Sequence, residues 1–296
     1  MNKTIRKSIK FCRYILEAAI ALPIYALLAL LPISTSSCIM GRLFTFIGPV
    51  LKVNQVAEAN ITKCFPDTSA AEKKTIIKRM WNHLGRIVGE LPHWHRMSDA
   101  ELVKFVTLPK TLANSQVILI SGHLGNWELN SRLMKYYNIK PIFVYRPMNN
   151  PMINWLINRT RLINGVELVA KGTSNLKEII RGIKDGKSLG MLVDQRHDAG
   201  ISLPFFGHET MTISAPANMA IKYNLPITMV MARRVYDTHL KSIRSSGIGF
   251  EFVSRAVNIE PTDSPVSVMK KIHLILEEWI TTNKEQWFWL HKRWRD

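Results

Sequence analysis

Cysteine is scarce in this chain. Its three cysteines, Cys12, Cys38 and Cys64, all lie in the first quarter. None forms a Cys-x-x-Cys pair and the number is odd, so the sequence supports no disulfide framework, and a reducing compartment is expected. Several chemical signatures are missing as well. Without Gly-x-Gly-x-x-Gly or Gly-x-x-x-x-Gly-Lys-Ser/Thr, nucleotide binding has no support. Without Gly-x-Ser-x-Gly, a serine hydrolase of the nucleophile-elbow type has none either. No His-Glu-x-x-His occurs, and neither a metal nor another cofactor is expected. There are also no internal repeats, low-complexity tracts or Pro/Gly-rich linkers, which favours a single unit.

Acidic residues are few. Asp and Glu number 22 against 40 Lys and Arg, a net charge of +18 over 296 residues. An excess of this size points to anionic partners: nucleic acid, lipid headgroups, phosphorylated substrates or an acidic carrier protein. The N-terminus favours a membrane. Lys3, Arg6, Lys7, Lys10 and Arg13 precede a run from Ala18 to Gly41 without a charge, and about 20 apolar residues suffice to span a hydrocarbon core. Pro23 and Pro32 lie inside that run, which leads without a linker into the following sequence. A retained membrane segment is therefore expected over residues 1–45, ahead of one domain over 46–296. Hydropathy fits both a span and a segment lying in the interface.

Beyond the segment, a helix is expected after Asp67, Thr68 or Ser69, with Glu72 in its first turn. Ile76, Ile77, Met80, Trp81, Leu84, Ile87 and Val88 recur at helical spacing, and Trp81 and Trp94 read as packing residues. From Gln116 the rhythm changes to short β-rich runs: VILIS, KPIFVY, VELVA, SLGMLV, ITMVMAR and IGFEFV. Helical stretches separate them near 125–137, 149–163, 174–185 and 213–224, and a last helix is expected at about 264–284. The alternation predicts an α/β fold, a central mixed sheet flanked by helices.

The stretch VILISGHLGNWELN, residues 117–130, reads as strand, turn and helix. Gly122 and Gly125 relax the backbone around His123, and Asn126 can cap the helix. On a continuous helix, five positions separate His123 from Glu128 by about 140°. They can meet only if the histidine sits in the turn and the glutamate in the helix's first turns. A carboxylate on one ring nitrogen would leave the other as a general base. A structural histidine, or half of a metal site, is the plainer alternative.

With this turn the sequence resembles the lipid A biosynthesis acyltransferases, the late lauroyl and myristoyl transferases related to the glycerolipid acyltransferases. The resemblance rests on HxxxxE after a strand, together with NITKCFPDTSAAEK, VYRPMNNPMINWLINRTR, LVDQRHDAG with LPFFG, and EQWFWLHKRW. It spans roughly residues 45–296. It implies a glycerolipid-acyltransferase-like fold and attack of a hydroxyl, on a phosphorylated glucosamine disaccharide lipid, upon an acyl thioester. It further implies His123 as base, Glu128 as its orienting carboxylate and Arg159 as the arginine of the site. Backbone amides near Asn126 are a second candidate for the oxyanion. Asp194 becomes a site residue, pairing with Arg159 or Arg196.

Arg146 is a candidate for substrate phosphate or carboxylate, and Arg161 and Asn126 are further substrate-binding candidates. The partners implied are an acidic acyl carrier protein as donor, the phosphorylated lipid A precursor and the membrane, with no nucleic acid. The place implied is the cytoplasmic face of the cell inner membrane. Lys171, Lys177, Arg181, Lys184 and Lys187 suit carrier docking or a solvated face equally well. Trp287, Trp289 and Trp294, with Lys292 and Arg293, suit either the headgroup level or a core closure. The rival readings are an acyltransferase acting on a glycerolipid or glycosylated lipid, and a basic membrane-surface or RNA-binding protein.

Overall fold

The structure, a computed structural model, describes residues 3–108, 116–172, 175–235 and 248–295. The chain opens with the helices α1 (Lys3–Leu30), α2 (Ile33–Ile47), α3 (Asn54–Cys64), α4 (Ala70–Trp94) and the single turn α5 (Asp99–Leu102). Strand and helix then alternate: β1 (Val106–Thr107), β2 (Ile118–Ser121), α6 (Leu129–Tyr136), β3 (Pro141–Tyr145), α7 (Pro151–Ile163), β4 (Glu167–Ala170), α8 (Leu176–Lys184) and β5 (Ser188–Leu192). The hairpin β6 (Ile201–Phe205) and β7 (His208–Thr212) leads to α9 (Ala215–Tyr223), β8 (Ile227–Arg234), β9 (Phe250–Val257) and α10 (Pro265–Thr282).

Among the described residues, seven strands form one sheet in the order β1-β9-β8-β2-β5-β3-β4, parallel except where β8 meets β9. This is the mixed α/β sheet expected. All four residues of β2 are buried, as a central strand covered on both faces requires. Its alternation serves two cores. Ile118 and Ile120 join Ala217 of α9 and Val268, Ile272 and Leu276 of α10, while Leu119 joins Leu129 and Leu133 of α6. Each expected strand and helix has a counterpart; for the helix expected from 174, residue 174 lies outside the described residues.

The β6–β7 hairpin was not anticipated from the sequence. Its two-residue turn, Phe206–Gly207, has positive φ at both positions (51° and 73°). Hairpins favour that geometry because it matches strand twist, but phenylalanine gives no sign of it.

The N-terminal run is not one span. Leu31 and Pro32 break it, because the residue before a proline avoids helical backbone, and α2 starts afresh at Ile33. Among the described residues, Ser8–Leu30 is the one unbroken helix long and apolar enough to cross a membrane. One face of α1 packs on the domain through Tyr14, Ala18 and Leu28, and Asn150 donates to Tyr14 O and Glu17 Oε2 at 2.9 and 3.0 Å. The opposite face exposes Ile9, Leu16, Ile20 and Leu27.

Helix α2 lies against α4 at very short range. A Cβ at Gly85 would stand 2.2 Å from Met40 O, and one at Gly89 would stand 2.4 Å from Ser36 O. At its start α4 is capped as expected, with Ser69 accepting from the Glu72 amide at 3.2 Å. Trp81 and Trp94 are packing residues, both buried. So are Trp287, Trp289 and Trp294, which close the core and do not reach a headgroup level. Arg293 is also interior, donating to Thr212 Oγ1 at 2.8 Å with its guanidinium 5.0 Å from the Phe205 ring centre.

Helix propensity favours Gly85→Ala and Gly89→Ala by up to about 1 kcal/mol each. Forcing α2 off α4 should outweigh that, at about 1–3 kcal/mol per site. Denaturant titration of the two variants is therefore expected to show lower stability, and a gain at both positions would refute the close approach.

Candidate active site

Strand β2 delivers His123 at the carboxyl edge of the sheet, and two glycines make the turn. A Cβ at Gly122 would lie 3.2 Å from the Asp194 carboxyl group, and Gly125 has φ +62° with its α-carbon against Ala232 O. The C-terminal stretch clamps this turn from outside. Gly125 N–H donates to Gln286 O at 3.1 Å, Phe288 N–H donates to His123 O at 2.9 Å, and Leu124 bridges antiparallel to Trp287. Asn60 on α3 holds that stretch in turn, donating to Trp289 O and His291 O at 2.8 Å.

The carboxylate on His123 is Asp194, which follows β5 on the neighbouring strand. Its Oδ1 lies 2.9 Å from His123 Nδ1, and its Oδ2 accepts from the His123 amide at 2.7 Å and from Trp287 Nε1 at 2.8 Å. The expected partners of Asp194, Arg159 and Arg196, are elsewhere; Arg196 pairs with Asp198 at 2.6 Å. Burial by itself would raise the Asp194 pKa. The His123 ring, the His123 amide and the Trp287 indole prevail and hold it well below the usual carboxylate range. An ionised carboxylate only accepts, so the proton of neutral His123 sits on Nδ1 and Nε2 keeps its lone pair. Gln195 Nε2 stands 3.5 Å from that lone pair. The ring also packs edge-on to Trp127, with centres 5.3 Å apart.

Glu128 does not orient His123. It turns toward α7 and accepts two bonds from Arg161, at 3.0 Å from Nε and 2.6 Å from Nη2. Burial opposes the charge on Arg161, but Glu128 more than offsets this and raises the pKa of the guanidinium. Arg159 faces another way. It is exposed and stacks on Trp155 with its guanidinium 5.4 Å from the ring centre. Of these two α7 arginines, Arg161 lines the same cavity as His123 and Arg159 does not. Asn126 is wholly buried. It caps α6, with Oδ1 accepting from the Leu129 amide at 3.2 Å, and Nδ2 donates to Glu90 at 2.9 Å. Its own amide donates to Ala232 O at 2.8 Å, so the amides of Gly125 and Asn126 are both committed.

His123, Glu128 and Arg161 line a cavity of about 630 Å³. Its apolar part is made by Leu119, Met134, Phe143, Leu168, Leu192 and Val230, and Arg146, Lys171, Gln195, Arg196 and His197 stand at the strand ends. Its wall at Met148 and Asn149 runs straight into Asn150, the residue that holds α1. Among the described residues no three His, Cys, Asp or Glu side chains converge as a metal ligand set.

Behind the turn lies a buried polar chain that sequence reading missed, along with Trp287, Gln195 and His291. Glu90, on α4, receives Ser37 of α2 at 2.6 Å on Oε1; its Oε2 receives Asn126 at 2.9 Å and Arg234 of β8 at 2.8 Å. Arg234 Nε donates to His83 Nδ1 at 3.2 Å, so His83 donates from Nε2 to Gly125 O at 3.1 Å. A buried Glu and His inside an amphipathic helix were the available signal. His291 accepts from the Arg196 amide at 3.0 Å.

Burial, reinforced by Arg234, pushes the His83 pKa down to about 3. The unfolded chain binds a proton there near pH 6.5 and the folded chain does not, so stability falls as pH drops from about 6.5 toward 3. His83→Gln keeps both a donor and an acceptor. Denaturant titrations between pH 7 and 4 should show a shallower loss for the variant, by up to about 1.4 kcal/mol per pH unit. Parallel curves would mean that His83 is charged in the fold.

The family of bacterial lipid A biosynthesis acyltransferases matches residues 3–296. The lipid A biosynthesis palmitoleoyltransferase of Escherichia coli K12 is 25% identical over 274 residues, covering 87% of this chain and 84% of its own. The lipid A biosynthesis lauroyltransferase of the same organism is 23% identical over 259 residues, 81% and 78% of the two chains. A lipid A biosynthesis acyltransferase of Haemophilus influenzae is 22% identical over 270 residues, 86% and 83%. With the family matched over nearly its entire length, the chain belongs to the bacterial lipid A biosynthesis acyltransferases.

Proposed function

We propose that this acyltransferase moves a fatty acyl chain from an acyl thioester, carried by acyl carrier protein, to a hydroxyl of a lipid A precursor. The observation that carries the reading is the His123 ring: Asp194 fixes its proton on Nδ1 and leaves the lone pair on Nε2, on a residue that lines the cavity. In the reaction Nε2 takes the proton of the acceptor hydroxyl as its oxygen bonds to the thioester carbonyl carbon. Asp194 stabilises the imidazolium that results. The tetrahedral intermediate then breaks its C–S bond, and the departing thiolate recovers the proton from the imidazolium.

Charge develops on the former carbonyl oxygen, and donors must meet it there. The amides of Gly125 and Asn126 are already bonded. The Gln195 amide beside Nε2 and the Arg161 guanidinium, held in the cavity wall by Glu128, take the role. In this reading Glu128 is a positioning residue that acts through Arg161. The apolar part of the cavity suits the acyl chain. The exposed apolar face of α1, whose other face is held by Asn150 next to the cavity wall, suits a bilayer from which the acceptor is drawn. A cytoplasmic carrier protein would place the reaction at the cytoplasmic face of the inner membrane.

Mass spectrometry of a Kdo-bearing tetraacyl lipid A precursor incubated with lauroyl-carrier protein tests the reading. The wild-type chain is expected to add one acyl group, and folded His123→Ala to lose activity on the order of 10²–10⁴-fold. If no transfer occurs with donors of several lengths while lysophospholipid is acylated, the acceptor is a glycerolipid instead.

A second comparison separates the carboxylates. Asp194→Asn disturbs the tautomer and should cost kcat up to about 10⁴-fold, as in histidine–aspartate triads. Glu128→Gln retains an acceptor for Arg161 and should cost at least about tenfold less. The reverse ranking would make Glu128 the orienting carboxylate after all.

A further inference from the structure

The cations at the cavity mouth are arranged by the sheet. Strands β3 and β4 pair in parallel with Tyr145 opposite Ala170, and the Lys171 amide continues the ladder by donating to Tyr145 O at 2.7 Å. Arg146 and Lys171 are the next residues of the two strands, so they leave the sheet edge side by side. Both line the cavity and both are exposed to solvent. Among the described residues neither is in an ion pair with a carboxylate. The nearby Asp198 is taken by Arg196 at 2.6 Å and Arg295 at 3.2 Å.

From the end of β5, His197 lines the same cavity, and its Nδ1 is buried without a hydrogen-bond partner. Burial and the Arg146 charge both push the Lys171 pKa down. Burial and the Lys171 charge do the same to His197. Asp198 opposes both shifts less strongly, and like charges crowded together are relieved further by a bound anion. A dianion offsets two cations, and the guanidinium fork meets two phosphate oxygens at once. Carboxyl ends of parallel strands are also where open α/β sheets take their ligands.

We propose that Arg146 and Lys171, with His197 beside them, form a binding site for a phosphate monoester of the acceptor lipid. The sheet order sets its distance from the chemistry. His123 follows β2, with β5, β3 and β4 the next strands. At about 4.8 Å per strand, the phosphate lies about 10–15 Å from His123. Lys171 then serves the acceptor and not carrier docking. The proposal rests on the acyl-transfer reading for the identity of the acceptor.

Its test requires no turnover. Binding of a phosphorylated glucosamine-disaccharide lipid, and of the same lipid after phosphatase treatment, is measured on the full chain in detergent. The wild-type chain is expected to prefer the phosphorylated lipid by about tenfold or more, as one or two charge-assisted bonds would give. In Arg146→Gln and Lys171→Gln that ratio should fall, and in the double variant it should approach 1. Steady-state kinetics of the single variants should show the acceptor KM rising and the donor KM unmoved.

Equal wild-type affinity for the two lipids would overturn the proposal, as would variants that lose both lipids equally. A rise confined to the donor KM would also overturn it, giving the cluster to the phosphate of the donor's arm. Selective binding without any acyl transfer would count against the proposed function and leave the phosphate site standing.

Discussion

The site depends on one buried carboxylate. Asp194 is 2% exposed, and taking a carboxylate out of water costs several kcal/mol unless donors replace the water. Here three donors come from two distant parts of the chain: the His123 amide and ring after β2, and the Trp287 indole from the C-terminal stretch. The requirement to satisfy Asp194 therefore assembles the turn, the end of β5 and the C-terminus into one object. It also fixes every proton around it. Because the carboxylate only accepts, the indole, the amide and the imidazole all donate to it, and the lone pair of His123 is left on Nε2.

A second buried carboxylate does comparable work behind the turn. Glu90 divides its two oxygens between α2, through Ser37, and the turn and β8, through Asn126 and Arg234. The close approach of α2 at Gly85 and Gly89 brings Ser37 within reach. A paired buried charge adds little net stability, yet removing one partner typically costs about 3–5 kcal/mol. The Glu90–Arg234 pair is thus better understood as a constraint on geometry than as a source of stability. It couples α2, the helix that follows α1, to the loop that carries His123, with α4 as the rigid link.

The fold was largely legible because it depends on local signals. The apolar runs of β2 to β5, the Ser69 cap and the glycines around His123 all act within a few residues of themselves. Partner choice at the site was not legible. His123 and Glu128 are five apart, close enough to suggest a bond. Yet each finds its partner far along the chain, His123 at Asp194 and Glu128 at Arg161. Arg159 and Arg161 differ by two positions, about 200° around a helix. Deciding which one faces the cavity requires knowing that the other side of α7 packs on α1. The aromatic C-terminus failed for a related reason. Its composition suits an interface, and only the tertiary fold shows Trp287 and Trp289 sealed inside. Asn126 shows the limit in reverse: its cap was read from local sequence, but the Glu90 bond that buries it was not.

The sheet edge explains why these residues work as a set. Four adjacent parallel strands, β2, β5, β3 and β4, end on one side of the molecule. They present in spatial order His123, then Asp194 and Gln195, then Arg146, then Lys171. In the proposed reading, chemistry lies at one end of that row and two cations without an ion-pair partner among the described residues at the other, with an apolar cavity between the sheet and its helices. A substrate that is apolar in one part and anionic in another fits this row in one orientation only. Reversing it would bring the anion to the apolar wall and a hydrocarbon chain to the cations, losing on both counts. The net charge of +18 thus has a local meaning. Two of its cations stand where a strand ladder ends, at a distance from the base that backbone geometry alone fixes.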